Sequence, residues 1–167
     1  MNIVLTTSQY NVDNIYFIEP IVNTIMENSV FIKLIYSNSI IILNGLYLQL
    51  DLNLISSEVY FKKLKHTYDI NNVNNNNVLN NIYNIENGIL DKYNSNKKKK
   101  NIIHDALITG VIKLYPNTRY NDDMESNTLT SSISKFNSTS TTVFILKISG
   151  IWENDNEYGL TYKITYT

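Results

Sequence analysis

The sequence predicts a mainly β chain with one helical insertion and a barrel-like strand order. Three stretches carry that prediction. From Val143 to Thr167, Phe144, Leu146, Ile148, Gly150 and Trp152 alternate on one face of a first strand, and Tyr158, Leu160, Tyr162, Ile164 and Tyr166 on one face of a second. A period of two marks a half-buried antiparallel strand, and the polar run Glu153 to Glu157 between them reads as a hairpin turn. From Val30 to Leu50, β-branched and aromatic residues dominate two further runs around Ser37-Asn38-Ser39. Between these β regions, Leu79, Ile82, Tyr83, Glu86, Ile89, Leu90 and Tyr93 follow the spacing of an amphipathic helix. An isolated hairpin is marginal in water, so the rest of the chain must supply the sheet it joins.

The elements follow in order. Met1 to Asn14 is polar and reads as loosely attached. Ile15 to Ile18 is a short strand stopped by Glu19-Pro20, and Pro20 to Met26 has the spacing of a short helix. Val30 to Tyr36 and Ile40 to Leu50 are apolar on both faces, as central strands of a small barrel would be. Gly45 inside the second suggests a bulge or a sharp coil. Glu58 to His66 reads as a third, more basic strand. Asn71 to Asn77 is an asparagine tract expected to loop, with Asn77 capping the helix Val78 to Tyr93. Lys97 to Lys100 reads as a solvated linker. Asn101 then caps a short helix, Ile102 to Thr109, that Gly110 stops. Val111 to Tyr115 is a strand ended by Pro116, and a polar loop fills 117–142. One domain over 1–167 is expected. Five or six short strands with a helix placed mid-chain fit an OB-type barrel, the alternatives being a small α+β sheet or a β-sandwich.

Composition excludes several function classes. The chain has 167 residues, a net charge of −1 and no cysteine. Disulfides, thiolate catalysis and cysteine-based zinc sites are therefore out. The molecule as a whole is no polyelectrolyte, so any contact with nucleic acid must come from a local patch. The start of the chain lacks a basic segment followed by an apolar run, so no signal peptide is read there. The longest apolar stretch, Ile40 to Leu50, is too short to span a bilayer. Neither a membrane partner nor secretion is expected. Asn occurs 27 times, and with abundant Ile, Lys and Tyr this is the codon bias of an AT-rich genome.

No G-x-S-x-G and no phosphate-binding glycine loop occurs. His66 and His104 lack a paired metal-ligand spacing, and Asp122, Asp123 and Glu125 read as a solvated acidic loop. Neither catalysis nor a cofactor nor a metal is expected. Single-strand nucleic-acid binding has more support, because it needs cations along a backbone and aromatic faces for bases. Thirteen Tyr and one Trp are available. The strand-borne aromatic candidates are Tyr36, Tyr47, Tyr60 and Trp152. The cationic ones are Lys33, Lys62, Lys63, Lys65, Lys113, Lys147 and Lys163. Lys147 and Lys163 both stand opposite the aromatic faces of their hairpin strands, which brings them together on the solvent side. Strand tyrosines also serve as cross-strand pairs, and strand lysines also guard edges.

The phrases FIEPIVNTIMENSVFIKLIYSN, IIILNGLYLQL, ILDKYN and FILKISGIWENDNEYGLTYKI resemble a family of small proteins encoded by nucleocytoplasmic large DNA viruses of algae and other protists. The resemblance runs from about Tyr16 to Ile164 and is most specific over Lys147 to Lys163. It extends to viral single-stranded DNA-binding proteins of OB-fold type, related to those of podophages, in which a helix interrupts the barrel midway. It implies a single-stranded DNA partner, a role in replication, recombination or repair at the viral replication site in host cytoplasm or nucleus, and contacts with viral replication or virion proteins. Such proteins often end in an acidic tail that recruits partners. This sequence ends TYKITYT, with no acidic residue after Glu157, a departure that speaks against the replication role or implies a different mode of recruitment. The rival expectation is a virion or assembly component, a β-rich interaction module.

Overall fold

The computed structural model describes residues 3–60, 63–115 and 141–166. Strands take 50% of these residues and helices 22%, so the mainly β prediction holds. In chain order the elements are β1 (Ile15–Phe17), β2 (Ile21–Val22), β3 (Ser29–Ser37), β4 (Ile42–Leu43), β5 (Leu46–Tyr60), β6 (Lys63–Tyr68), α1 (Val73–Tyr93), β7 (Lys98–Lys100), α2 (Ile102–Leu107), β8 (Val111–Leu114), β9 (Thr141–Asn154) and β10 (Glu157–Tyr166). They form one sheet along the path β1-β3-β9-β5-β6-β8, with β10 on β9 and β7 on β10. The sheet is open and does not close into a barrel. Where β10 and β6 approach, they meet through side chains: the Tyr166 hydroxyl hydrogen-bonds His66 Nε2, and both rings pack on Phe144.

β9 and β10 organise the sheet. β10 pairs with β9 from Tyr158↔Glu153 to Tyr166↔Phe144. The opposite edge of β9 is shared. Thr141 to Ile148 pair with β5, and Gly150 to Asn154 pair with β3. Ser149 lies at the hand-over, because Thr161 pairs with Gly150 while the next residue, Tyr162, pairs with Ile148. That extra residue is a β-bulge, and it reverses the alternation of β9. Phe144, Leu146 and Ile148 face the core as predicted, but beyond the bulge it is Ile151 that is buried on that side. Gly150 and Trp152 therefore belong to the outer face, which corrects the single-face reading of this strand. β10 keeps its predicted alternation.

One core lies on the inner side. Leu34, Leu46, Leu48, Leu50, Phe144, Leu146, Ile148 and Leu160 from the sheet meet Ile82, Ile89 and Leu90 of α1 and Ile103 of α2, all at most 1% exposed. The helix starts five residues earlier than its apolar spacing indicates. Asn72, not Asn77, is its N-cap, and its side chain accepts from the backbone N–H groups of Asn74 and Asn75. Asn75 is fully buried. Its amide donates to the carbonyls of Asn53 and Asp69 and accepts from the Asn53 N–H at 2.7 Å. The asparagine tract is thus mostly helix, and one member pins α1 to β5. The opposite end stops at Asn94, which takes the left-handed conformation at φ 55°.

Other expectations need correction. Ile21 and Val22 form β2 rather than a helix, because their backbone pairs with Phe31 and Val30. The expected third strand, Glu58 to His66, is the end of one hairpin arm and the start of another, since β5 runs to Tyr60 and β6 returns against it from Lys63 to Tyr68. Gly45, at φ +101°, sits in the turn before β5 and not inside a strand. Lys98 to Lys100 are strand β7, parallel to β10. The β3 and β5 runs are not covered on both sides: Lys33 is exposed, and Phe31 and Tyr47 are half-buried. Most of the polar 117–142 loop, with Asp122, Asp123 and Glu125, lies outside the described residues, whereas Thr141 and Thr142 already belong to β9.

Candidate nucleic-acid interface

Directly paired residues of antiparallel strands project to the same side, so the register arranges the outer face in rows. One row is Ile21, Phe31, Trp152, Gly159 and, on β7, Lys100. The next is Lys33, Gly150 and Thr161. The next is Tyr47, Lys147 and Lys163. Lys33 and Lys163 are exposed, while Phe31, Tyr47, Lys147 and Trp152 are half-buried.

Two glycines let the aromatic rings lie against the sheet. A Cβ on Gly159 would stand 2.9 Å from Trp152 Cζ2 and 3.0 Å from Cε2. A Cβ on Gly150 would stand 2.7 Å from Phe31 Cζ and 2.8 Å from Cε2. Each ring occupies the space of a missing side chain. Glycine in a strand marks such a close approach, here of a ring to the backbone of a neighbouring strand.

The electrostatics of the Tyr47 row are unusual. Lys147 and Lys163 are direct cross-strand partners, and like charges directly opposed weaken a sheet. Among the described residues neither forms an ion pair with a carboxylate. Lys147 leans towards β5. Its Cε would lie 3.5 Å from a Cβ on Gly45, and its Nζ sits 5.2 Å from the centroid of the Tyr47 ring. That cation–π contact relieves the repulsion by drawing one ammonium away from the other.

The predicted residues thus fall into distinct groups. Lys33, Tyr47, Lys147, Trp152 and Lys163 come together on the outer face, and the register pairs Lys147 with Lys163. Tyr36 does not join them. It is 1% exposed, its hydroxyl accepting from Asn14 Nδ2 and donating to the Gln9 carbonyl, so no base can stack on it. Lys63, Lys65 and Lys113 belong to the other wing of the sheet. Lys65 pairs with Lys113 across β6 and β8, and its Nζ bonds Glu58 at 2.6 Å. Lys63 Nζ lies 4.5 Å over the exposed Tyr115 ring. At ~3.3 Å per residue, Tyr47 and Glu58 stand about 35 Å apart along β5. Tyr60 ends β5, with its side chain outside the described residues, and Lys62 lies outside them altogether.

Sequence reasoning missed Phe31 and Lys100. Phe31 read as core in a run apolar on both faces, and only the pairing with Trp152 turns it outward. Lys100 looked like linker, but the β7 ladder brings it beside Gly159, where its Nζ bonds Glu157 at 3.0 Å. Its neighbours Lys97 and Lys99 are paired with Glu153 and Asp91.

Two further ionisable groups are buried. Glu86 on α1 is fully buried, and its two carboxylate oxygens accept from the N–H groups of Ile103 at 3.0 Å and His104 at 2.9 Å. Burial pushes its carboxyl up, against the pull of those two donors. His66 is buried between Ser57 Oγ, 2.7 Å from Nδ1, and the Tyr166 hydroxyl, and burial pushes its imidazole down. Among the described residues no group of three or more His, Asp and Glu has a metal-binding arrangement, and no helix is long and apolar enough to cross a membrane. No family model, curated protein or solved structure matches this chain.

Proposed function

We propose that this protein binds single-stranded DNA without base specificity through the outer face of β3, β9 and β10, as a protein of a large DNA virus acting in replication, recombination or repair. The observation that carries the reading is the directly opposed pair Lys147 and Lys163, with no carboxylate in its row and the Phe31 and Trp152 rings two rows away on the same face, across the row of Lys33. A sheet keeps two facing cations at a cost in stability, and a polyanion crossing between them offsets that cost. Phosphates lie along Lys147, Lys163 and Lys33, and bases stack on Trp152 and Phe31. A flat ring has no preference among bases, hence the absence of sequence readout.

The test is fluorescence anisotropy of a labelled oligo-dT at low and moderate salt. Binding should be micromolar or tighter, weaken with salt, and be weaker for duplex. Removing one phosphate-contacting lysine should flatten the salt slope by about 0.7. No binding at low salt overturns the reading. A second reading, a virion or assembly module, draws on the apolar edge at Ile21, Val22 and Ile25, which are 61%, 80% and 96% exposed. It predicts no oligonucleotide binding and recovery of the protein with virion fractions.

A further inference from the structure

Tyr47 and Lys147 touch within the proposed face. The Lys147 ammonium lies over the Tyr47 ring, 5.2 Å from its centroid, so this ring differs from Trp152 and Phe31 in being covered by a cation. The cover is held by one weak contact. A partly exposed cation–π pair contributes about 0.5–1 kcal/mol, and a charge-assisted bond from ammonium to phosphate is stronger. The lean of Lys147 is also away from Lys163, its direct cross-strand partner. An anion placed between the two lysines removes the repulsion that favours that lean. The stem passes Gly45 in ordinary contact, its Cε 3.5 Å from the position of a Cβ there, while the glycine itself is required by φ +101° and by the Ile148 carbonyl 2.7 Å from that position.

We infer that Tyr47 is a latent third stacking platform, uncovered when a backbone phosphate of a single strand draws Lys147 back towards Lys163. The inference rests on the proposed function and adds to it a coupling. Phosphate recognition at Lys147 and base stacking at Tyr47 occur together, so a nucleobase without its phosphate does not gain the third platform. The face then distinguishes a polynucleotide from nucleosides and other planar uncharged molecules.

The test compares an ordinary phosphodiester oligo-dT with the same oligomer carrying an uncharged methylphosphonate backbone. In the otherwise unchanged protein, Tyr47→Leu should weaken the phosphodiester oligomer about tenfold, the scale of one lost stack, and leave the neutral oligomer within twofold. Lys147→Met keeps the stem and removes the charge. It should weaken the phosphodiester oligomer yet tighten the neutral one, and in that background Tyr47→Leu should now weaken the neutral oligomer as well. Tyr47→Phe, which keeps the ring, should restore phosphodiester affinity, and the retained neutral-oligomer affinity of the leucine variant reports that it is folded. Equal weakening of both oligomers by Tyr47→Leu overturns the inference, as does no effect on either. So does a neutral oligomer that Lys147→Met binds no more tightly than the parent. If the parent protein binds no phosphodiester oligomer at low salt, it is the proposed function that fails.

Discussion

Gly159 decides where Trp152 lies. Its missing side chain is filled by the indole on one side, and the Lys100 carbonyl closes the space at 3.1 Å from the Cβ position. Backbone cannot retreat as a side-chain tip can, so Gly159→Ala should lift the indole off the sheet. The expected loss is about 1–3 kcal/mol, the usual penalty of overpacking. Chemical denaturation measures it, and the fluorescence of the single tryptophan should move towards that of a solvated indole. An unchanged spectrum would mean that the ring does not rest on this glycine. His66 gives a second prediction at this scale. Its imidazole is buried against Phe144, between Ser57 and Tyr166, and its pKa is lowered. The unfolded chain then binds the proton more readily than the folded one. Stability is fully present above the ordinary histidine range and declines as pH falls through it towards the lowered folded value. Melting temperatures between pH 7.5 and 5 should fall, and His66→Phe should flatten the part of that slope due to this residue. The alternation of residues already placed Lys147 and Lys163 together, since it needs only β10 and the first half of β9. It misplaced Trp152 because a bulge changes face without changing composition, and Gly150 was its only local sign.

Among elements, α2 has no cap of its own. Asn101 occupies the N-cap position, but its side chain makes no capping bond there. It reaches Asn87 instead. The cap comes from Glu86, inside α1, whose two oxygens take the N–H groups of the second and third residues of α2, Ile103 and His104. Glu86→Gln replaces one acceptor by a donor and sets it against a backbone N–H. The penalty should be about 1–3 kcal/mol, with faster amide exchange at Ile103 and His104. If those amides keep their protection, Glu86 is not what holds α2. This element was legible and its support was not. The apolar spacing and Gly110 located the helix within two residues, whereas a cap supplied by another helix leaves no mark near the residues it caps. The asparagine tract shows the same limit. As composition it reads as loop, yet Asn72 and Asn75 are the cap and the pin of α1. What distinguishes Asn75 from Asn76 or Asn77 is a tertiary contact to β5, which no window along the chain contains.

For the whole molecule, the sequence supported the β class and the mid-chain helix, but not the openness of the sheet. Closure depends on whether β10 and β6 share backbone bonds. Their alternation is the same whether they pair or meet only through His66 and Tyr166. The open sheet leaves a broad outer face, and on it the chain retains a charge arrangement that works against its own stability. Lys163→Glu tests that arrangement directly. It replaces a repelling cross-strand pair by an attracting one, between positions that already face each other. Exposed ion pairs contribute little, so the folded state should gain about 0.5–1 kcal/mol once the lost repulsion is included. The same change places a carboxylate where the proposed strand backbone runs, and oligo-dT affinity at low salt should fall by about tenfold or more. Adding salt should shrink both effects, because both are Coulombic and near the surface. Denaturation and anisotropy on one preparation separate the possibilities. Greater stability with weaker binding is the signature of a face shaped for an anion. Greater stability with unchanged binding would place the strand elsewhere on the sheet, and lower stability would mean that the two lysines do not repel as their register requires.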